Sequence, residues 1–352
     1  MFFALRDLRT ARGRFALITG VVLLLSVLVA GLLGLTAGLA HQSVSALRAL
    51  GSGDSTFVLP ADEDGAVDLD RASLTGEQVD RVTEADPSAV PLGVARIRVD
   101  DGTETGASAV AVGLGGPVGS LTPPASGEVL TSTGVDDEVG AGGTVLRVDG
   151  SALRVTGGVG DLWHSHTPVV VTDLATWRGL APRGGAATAV AVSSEGPGAS
   201  RGPAAQPGLT GVDAEGLVSS LPSHRAENTS LNTMTFMLLA VTALVVGAFF
   251  AVWGLQRRRD VAVLKALGAS TAAVVRDSVG QAAIVLVVGI GGGVGIAALF
   301  GVVAPGAVPY VVSPATTVLP ALLLAVLGLA GAAVSLRPVV SADPSTALGA
   351  LR

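Results

Sequence analysis

His41, Met234 and Met237 are the side chains best suited to ligand chemistry, because His and Met are axial ligands of haem iron. Each stands where a long apolar run meets polar sequence, so the three are expected at one depth, with Phe236 and Tyr310 adding aromatic surface. His164 and His166 flank the same turn-like stretch as Trp163 but have too few companions for a metal site, and they read as surface histidines. Asp62-Glu63-Asp64 and Asp136-Asp137-Glu138 read as solvated loop charges, so no metal site is expected. The chain has no cysteine, no Gly-x-Ser-x-Gly and no His-Glu-x-x-His, which argues against an enzyme. Its single lysine, Lys265, lies outside any phosphate-binding Gly-x-x-x-x-Gly-Lys context, so ATP is not bound here.

The elements that must position these residues are four apolar runs, Phe15–Leu39, Met234–Leu255, Val279–Val303 and Thr316–Leu336. Each reaches the ~20 residues that a helix needs to cross a bilayer. The expected organisation is an interfacial amphipathic helix over 1–14, spans at 15–40, 231–255, 278–303 and 316–336, and a folded insert at 41–230. A loop at 256–277, a turn at 304–315 and a tail at 337–352 complete it. The mean hydropathy of +0.62 and the 14% of charged residues fit a multi-pass membrane protein.

Charge sets the orientation. Outside residues 41–228 there are eleven basic and four acidic residues; inside there are eleven basic and 24 acidic, so the two parts carry +7 and −13. Short Lys/Arg-rich loops stay in the cytoplasm. Both termini and the 256–277 loop are therefore expected inside, in a bacterial cytoplasmic membrane, with the insert outside. Nothing in this pattern suggests nucleic acid as a partner.

The insert reads as α+β. Alternating runs predict strands at Thr56–Leu59, Val90–Val99, Ala107–Gly113, Glu128–Thr131, Thr144–Val148, Leu153–Val155, Pro168–Val171 and Thr188–Val192, with helices at Leu74–Ala85 and Asp173–Leu180. Asp149-Gly150 is a hairpin turn signal. Ser194–Gly208, rich in Gly, Pro and Ala, reads as a surface loop. In the spans, Gly34/Gly38, Gly289/Gly293 and Gly291/Gly295 recur at four-residue spacing, which predicts close helix packing.

After the second run comes Gln256-Arg-Arg-Arg-Asp-Val-Ala-Val-Leu-Lys-Ala-Leu-Gly268. Val261, Leu264 and Leu267 fall on one helical face, Arg257, Arg258, Arg259, Asp260 and Lys265 supply charge, and Gly268 is a stop. This is a short amphipathic helix shaped for a groove on a cytoplasmic partner.

That segment, the one-plus-three layout around a large insert, and the tail Arg337-Pro-Val-Val-Ser-Ala-Asp-Pro-Ser-Thr-Ala-Leu348 together resemble the permeases of MacB/FtsX-type ABC transporters. Asp260 replaces the more usual Glu and keeps the charge. The resemblance implies a homodimer bound to two copies of a separate ATPase that holds the ATP and Mg. It also implies a coupling helix over Arg257–Gly268, and mechanotransmission in place of a central channel.

Phe3-Ala-Leu-Arg-Asp-Leu and Gly31-Leu-Leu-Gly-Leu-Thr-Ala-Gly-Leu-Ala40 are similar to the haem-exporter and DevC-like branch, which makes haem the first candidate substrate. Two other readings stay open: an FtsX-like regulator of an external cell-wall hydrolase that transports nothing, and extrusion of antimicrobial peptides or lipids.

Overall fold

The computed structural model describes residues 12–102, 106–139, 145–180, 185–193, 208–256, 268–303 and 308–340. Met1–Ala11, Arg257–Leu267 and the tail after Val340 lie outside the described residues, as does most of the Ser194–Gly208 loop. The chain divides into two units: Met1–Gly38 with Ser230–Arg352, and Leu39–Thr229.

The first unit is helical. Its four long helices are α1 (Arg12–Leu50), α6 (Pro222–Gln256), α7 (Thr271–Val303) and α8 (Pro314–Val340), each long and apolar enough to cross a membrane. Phe15, Val22, Val246, Phe250, Trp253, Leu286, Ile290 and Leu324 form their shared core, while Leu24, Leu244, Val287 and Val326 are exposed. An apolar exterior around an apolar core is what lipid requires, because the backbone polar groups are already paired within each helix. Helix ends follow local chemistry. Ser313 caps α8 reciprocally with Thr316, and Ser270 Oγ accepts the Ala273 N–H where α7 begins. Gly268 has φ +95, the left-handed backbone that a stop residue needs.

All four helices outrun their predicted spans, α1 and α6 by the most. α1 continues to Leu50 and α6 begins at Pro222, so the residues next to the spans are helical rather than loop. The extra turns bury Val44, Leu47, Leu50 and Leu221 in the core of the second unit, and that burial holds them helical where hydropathy no longer does.

The second unit is α+β. Its remaining elements, in chain order, are β1 (Ser55–Pro60), α2 (Gly76–Ala85), β2 (Val90–Asp100), β3 (Gly106–Leu114), β4 (Glu128–Thr131), α3 (Thr133–Val139), β5 (Val145–Val148), β6 (Ser151–Gly158), β7 (Trp163–His164), β8 (Thr167–Asp173), α4 (Leu174–Leu180), β9 (Ala189–Ser193), β10 (Leu209–Val212) and α5 (Ala214–Ser219). The strand order is β10-β1-β9-β2-β3-β8-β4-β6-β5. A further β2–β5 pairing at Val99 and Asp100 closes six strands, from β2 round to β5, into a ring.

Alternation along β2 explains the two cores. Leu92 and Val94 face the cluster that receives Leu47 and Leu50, whereas Ile97 and Val99 face the cluster of Val129, Leu146, Val170 and Trp177. Gly93 and Gly113 lie beneath Trp177, where an added Cβ would approach the side chain to 2.3 and 2.2 Å. The predicted hairpin forms at Asp149 (φ 45) and Gly150 (φ 85).

Candidate functional site

The predicted ligand residues fall in different units. Met234 and Met237 lie on α6 within the helical unit and are exposed. His41 lies on the part of α1 that belongs to the α+β unit. Its Nε2 is 3.0 Å from both Asp161 Oδ2 and the Asp161 carbonyl. Both partners are acceptors, so Nε2 is the donor, which is the tautomer whose neutral form has its lone pair on Nδ1. A carboxylate that fixes a histidine tautomer in this way is the usual outer partner of a metal-ligating imidazole. Asp161 is itself oriented by the Trp163 indole N–H and by Thr133 Oγ1.

The tyrosine offered as aromatic surface has a different task. Tyr310 packs on Gly34, where a Cβ would meet its ring at 2.2 Å, and its hydroxyl donates to the Ala30 carbonyl at 3.2 Å. The Pro309 carbonyl occupies the notch over Gly38, and Val311 N–H donates to Gly34 O at 3.1 Å. Gly34 and Gly38 therefore receive the turn before α8, not a neighbouring helix. Gly289 and Gly293 do meet a helix, packing on Val22 and on Leu23 and Ser26 of α1. A Cβ added at Gly291 or Gly295 would meet nothing within 4 Å among the described residues outside its own helix turn. Gly328 over Leu286 and Gly331 over Gly247 are close contacts that four-residue spacing did not mark.

His164 departs from the surface reading, whereas His166 is exposed as expected and pairs with Glu227. His164 is only 2% exposed and pairs with Asp70 at 3.4 Å. The β7–β8 hairpin explains this: Ser165 and His166 form its turn in the left-handed region, with φ 47 and 59, which sends His164 inward and His166 toward α1.

There the turn grips the helix. Ser165 N–H donates to Ser43 O at 2.9 Å and His166 N–H to Gln42 O at 3.0 Å, while Trp163 N–H donates to Ser45 Oγ at 2.8 Å. His166 Nε2, Ser43 Oγ and Glu227 Oε2 are mutually 3.1 Å apart. Glu227 belongs to the first turns of α6, so one imidazole joins α1, a β-hairpin and α6. Sequence reasoning missed Ser43, Asp161 and Glu227, since no local pattern marks partners more than a hundred residues apart.

Among the described residues no group of three or more His, Asp or Glu is arranged to hold a metal ion.

Residues 232–344 match the FtsX-like permease C-terminal family. This segment, about a third of the chain, is similar to an FtsX-type permease domain. Over 99% of both chains it is 22% identical to a Staphylococcus epidermidis protein named as the hemin transport system permease protein HrtB. It is 28% identical to the protein so named in Staphylococcus haemolyticus over 41% of each chain. Among solved structures, the extracellular domain of the ABC-type transporter YknZ is 11% identical and covers 45% of this chain and 100% of its own, with a TM-score of 0.34. The four long apolar helices and the match to a permease family together support a membrane protein similar to FtsX-type permeases.

Proposed function

We propose that this permease works as a homodimer with two copies of its ATPase and expels haem, or another hydrophobic substrate, from the outer leaflet by mechanotransmission. The observation that carries this reading is the length of α1 and α6. At 39 and 35 residues they span about 58 and 52 Å, well beyond the ~30 Å hydrocarbon core. Helices that run unbroken from membrane into folded insert can pass a displacement at one end to the other. In the insert the two are tied directly by Ser43–Glu227 and again through His166, so movement of either is shared.

The cytoplasmic end of the path is assigned to Arg257–Gly268, with Val261, Leu264 and Leu267 seated on the ATPase. Both termini are placed in the cytoplasm on the charge asymmetry. Haem is favoured as cargo because full-length relatives are named for hemin transport. His41 is its candidate ligand through Nδ1, with Met234 and Met237 as further candidates.

The test is ATP hydrolysis by the permease, reconstituted in lipid with its ATPase, across a haem titration. Dose-dependent stimulation that His41→Ala abolishes supports haem extrusion. A working complex indifferent to haem transfers the reading to an FtsX-like regulator of a cell-wall hydrolase or to peptide or lipid extrusion.

A further inference from the structure

The α+β unit contains a cavity of about 410 Å³, within the size range of small-molecule sites. It opens at a gap in the sheet. β9 pairs with β2 only over Val90–Leu92, and β5 pairs with β2 only at Val99 and Asp100. Between them two side chains stand in for missing strands. Thr188 Oγ1 accepts Val94 N–H at 2.8 Å and donates to Val94 O at 3.3 Å, and the Asp149 carboxylate accepts Arg98 N–H at 3.1 Å. Strand alternation directs the backbone N–H and C=O of Arg96 toward the same side, where no strand pairs with it among the described residues.

The lining is amphipathic and rich in donors. Val94 and Val110 supply apolar surface, and Arg71 and Arg96 bring two guanidinium groups. The one lining carboxylate, Asp70, faces His164 at 3.4 Å. Trp177 lines the cavity while 3% exposed, and its buried indole N–H has no hydrogen-bond partner among the described residues. Arg71 is exposed and already paired with Asp68 at 3.6 Å, which leaves Arg96 as the guanidinium for an anion, and the planar fork of arginine suits a carboxylate above others.

We infer that this cavity is a binding site for a small carboxylate with an apolar body, held by Arg96 over Val94 and Val110, and distinct from the proposed haem ligand His41. Its contents bear on the helix clasp. Arg96 Nη1 donates to Thr167 Oγ1 at 3.3 Å, and Thr167 Oγ1 donates to the Ser165 carbonyl in the turn that grips α1.

The experiment is equilibrium dialysis of the full-length protein in lipid nanodiscs against 4-phenylbutyrate and its neutral isostere 4-phenylbutyramide, with empty nanodiscs subtracted. The expected result is saturable binding of the acid at one per chain. The amide and the Arg96→Gln variant should each bind about tenfold or more weaker, Arg96→Lys should fall between, and His41→Ala should match the parent. Arg96 is exposed, so its variants are expected to fold, and thermal melting verifies that. Equal binding of acid and amide, full binding by folded Arg96→Gln, or no saturable binding of the acid up to ~5 mM overturns the inference. None of these readouts involves haem or ATP, so the assignment stands or falls apart from the transport reading.

Discussion

His166 Nε2 lies 3.1 Å from Glu227 Oε2, and Ser43 Oγ lies 3.1 Å from both. The turn that presents His166 is held against α1 by backbone donors, so only its side chain reaches α6. Losing that side chain should loosen the start of α6, which Ser43 Oγ then holds alone through Glu227, without melting the hairpin. His166→Ala is expected to lower stability by about 1–2 kcal/mol, and His166→Gly by less. The imidazole bonds are lost in both, but glycine adopts φ +59 without a Cβ penalty. Hydrogen exchange should rise at residues 222–229 in both variants, and unchanged exchange there would refute the clasp.

Gly38 and Gly291 make a matched pair. A Cβ at Gly38 would come within 2.1 Å of the Pro309 carbonyl, whereas one at Gly291 would meet nothing within 4 Å among the described residues. Gly38→Ala should cost about 2 kcal/mol or more, because backbone must move to admit the methyl group. Gly291→Ala should be neutral or stabilising by up to about 1 kcal/mol through helix propensity. Thermal unfolding in detergent compares them; a loss at Gly291 as large as at Gly38 would point to a further packing partner on that face.

Asp161 offers a test of the haem proposal. If His41 ligates iron through Nδ1, Asp161 fixes the ring and raises its basicity, so Asp161→Asn should weaken haem binding by roughly tenfold or more. Spectroscopic titration with haem reads this out. Unchanged affinity in both Asp161→Asn and His41→Ala would remove His41 as ligand while leaving the permease assignment intact.

Gly113 tests the second core. Trp177 Cβ would lie 2.2 Å from an added methyl group, and the indole is wedged over two strands. Gly113→Ala should cost about 1–3 kcal/mol and shift tryptophan emission as the ring is displaced. A silent substitution would show that α4 yields more readily than its burial indicates.

If Arg257–Gly268 docks on an ATPase as proposed, replacing Val261, Leu264 and Leu267 with Asp should abolish substrate-stimulated ATP hydrolysis while membrane insertion and the melting of the α+β unit stay unchanged. An apolar seat cannot accept three charges, yet none of the three lies in a predicted span. Full coupling in this variant would show that the loop is not the transmission point.

By itself the sequence determined the number of spans, their division around one large insert, and most of the insert's strands. Those signals are local: length of apolar run, alternation, and turn residues such as Asp149-Gly150 are complete within a few neighbours. Glu128–Thr131 appears as a strand with the predicted bounds, whereas β7, β10, α3 and α5 were not anticipated, being two to seven residues long with little periodicity to read. The inward path of His164 was hidden for a related reason, since it depends on two non-glycine residues adopting positive φ. Only the tertiary structure decided which partners meet. Asp161 reaches His41 across 120 residues and Glu227 reaches Ser43 across 184. It also decided that Gly34 and Gly38 admit a tyrosine and a carbonyl instead of a helix. Spacing records which residues share a face, but the group that covers the face comes from distant chain, and its identity is set by packing.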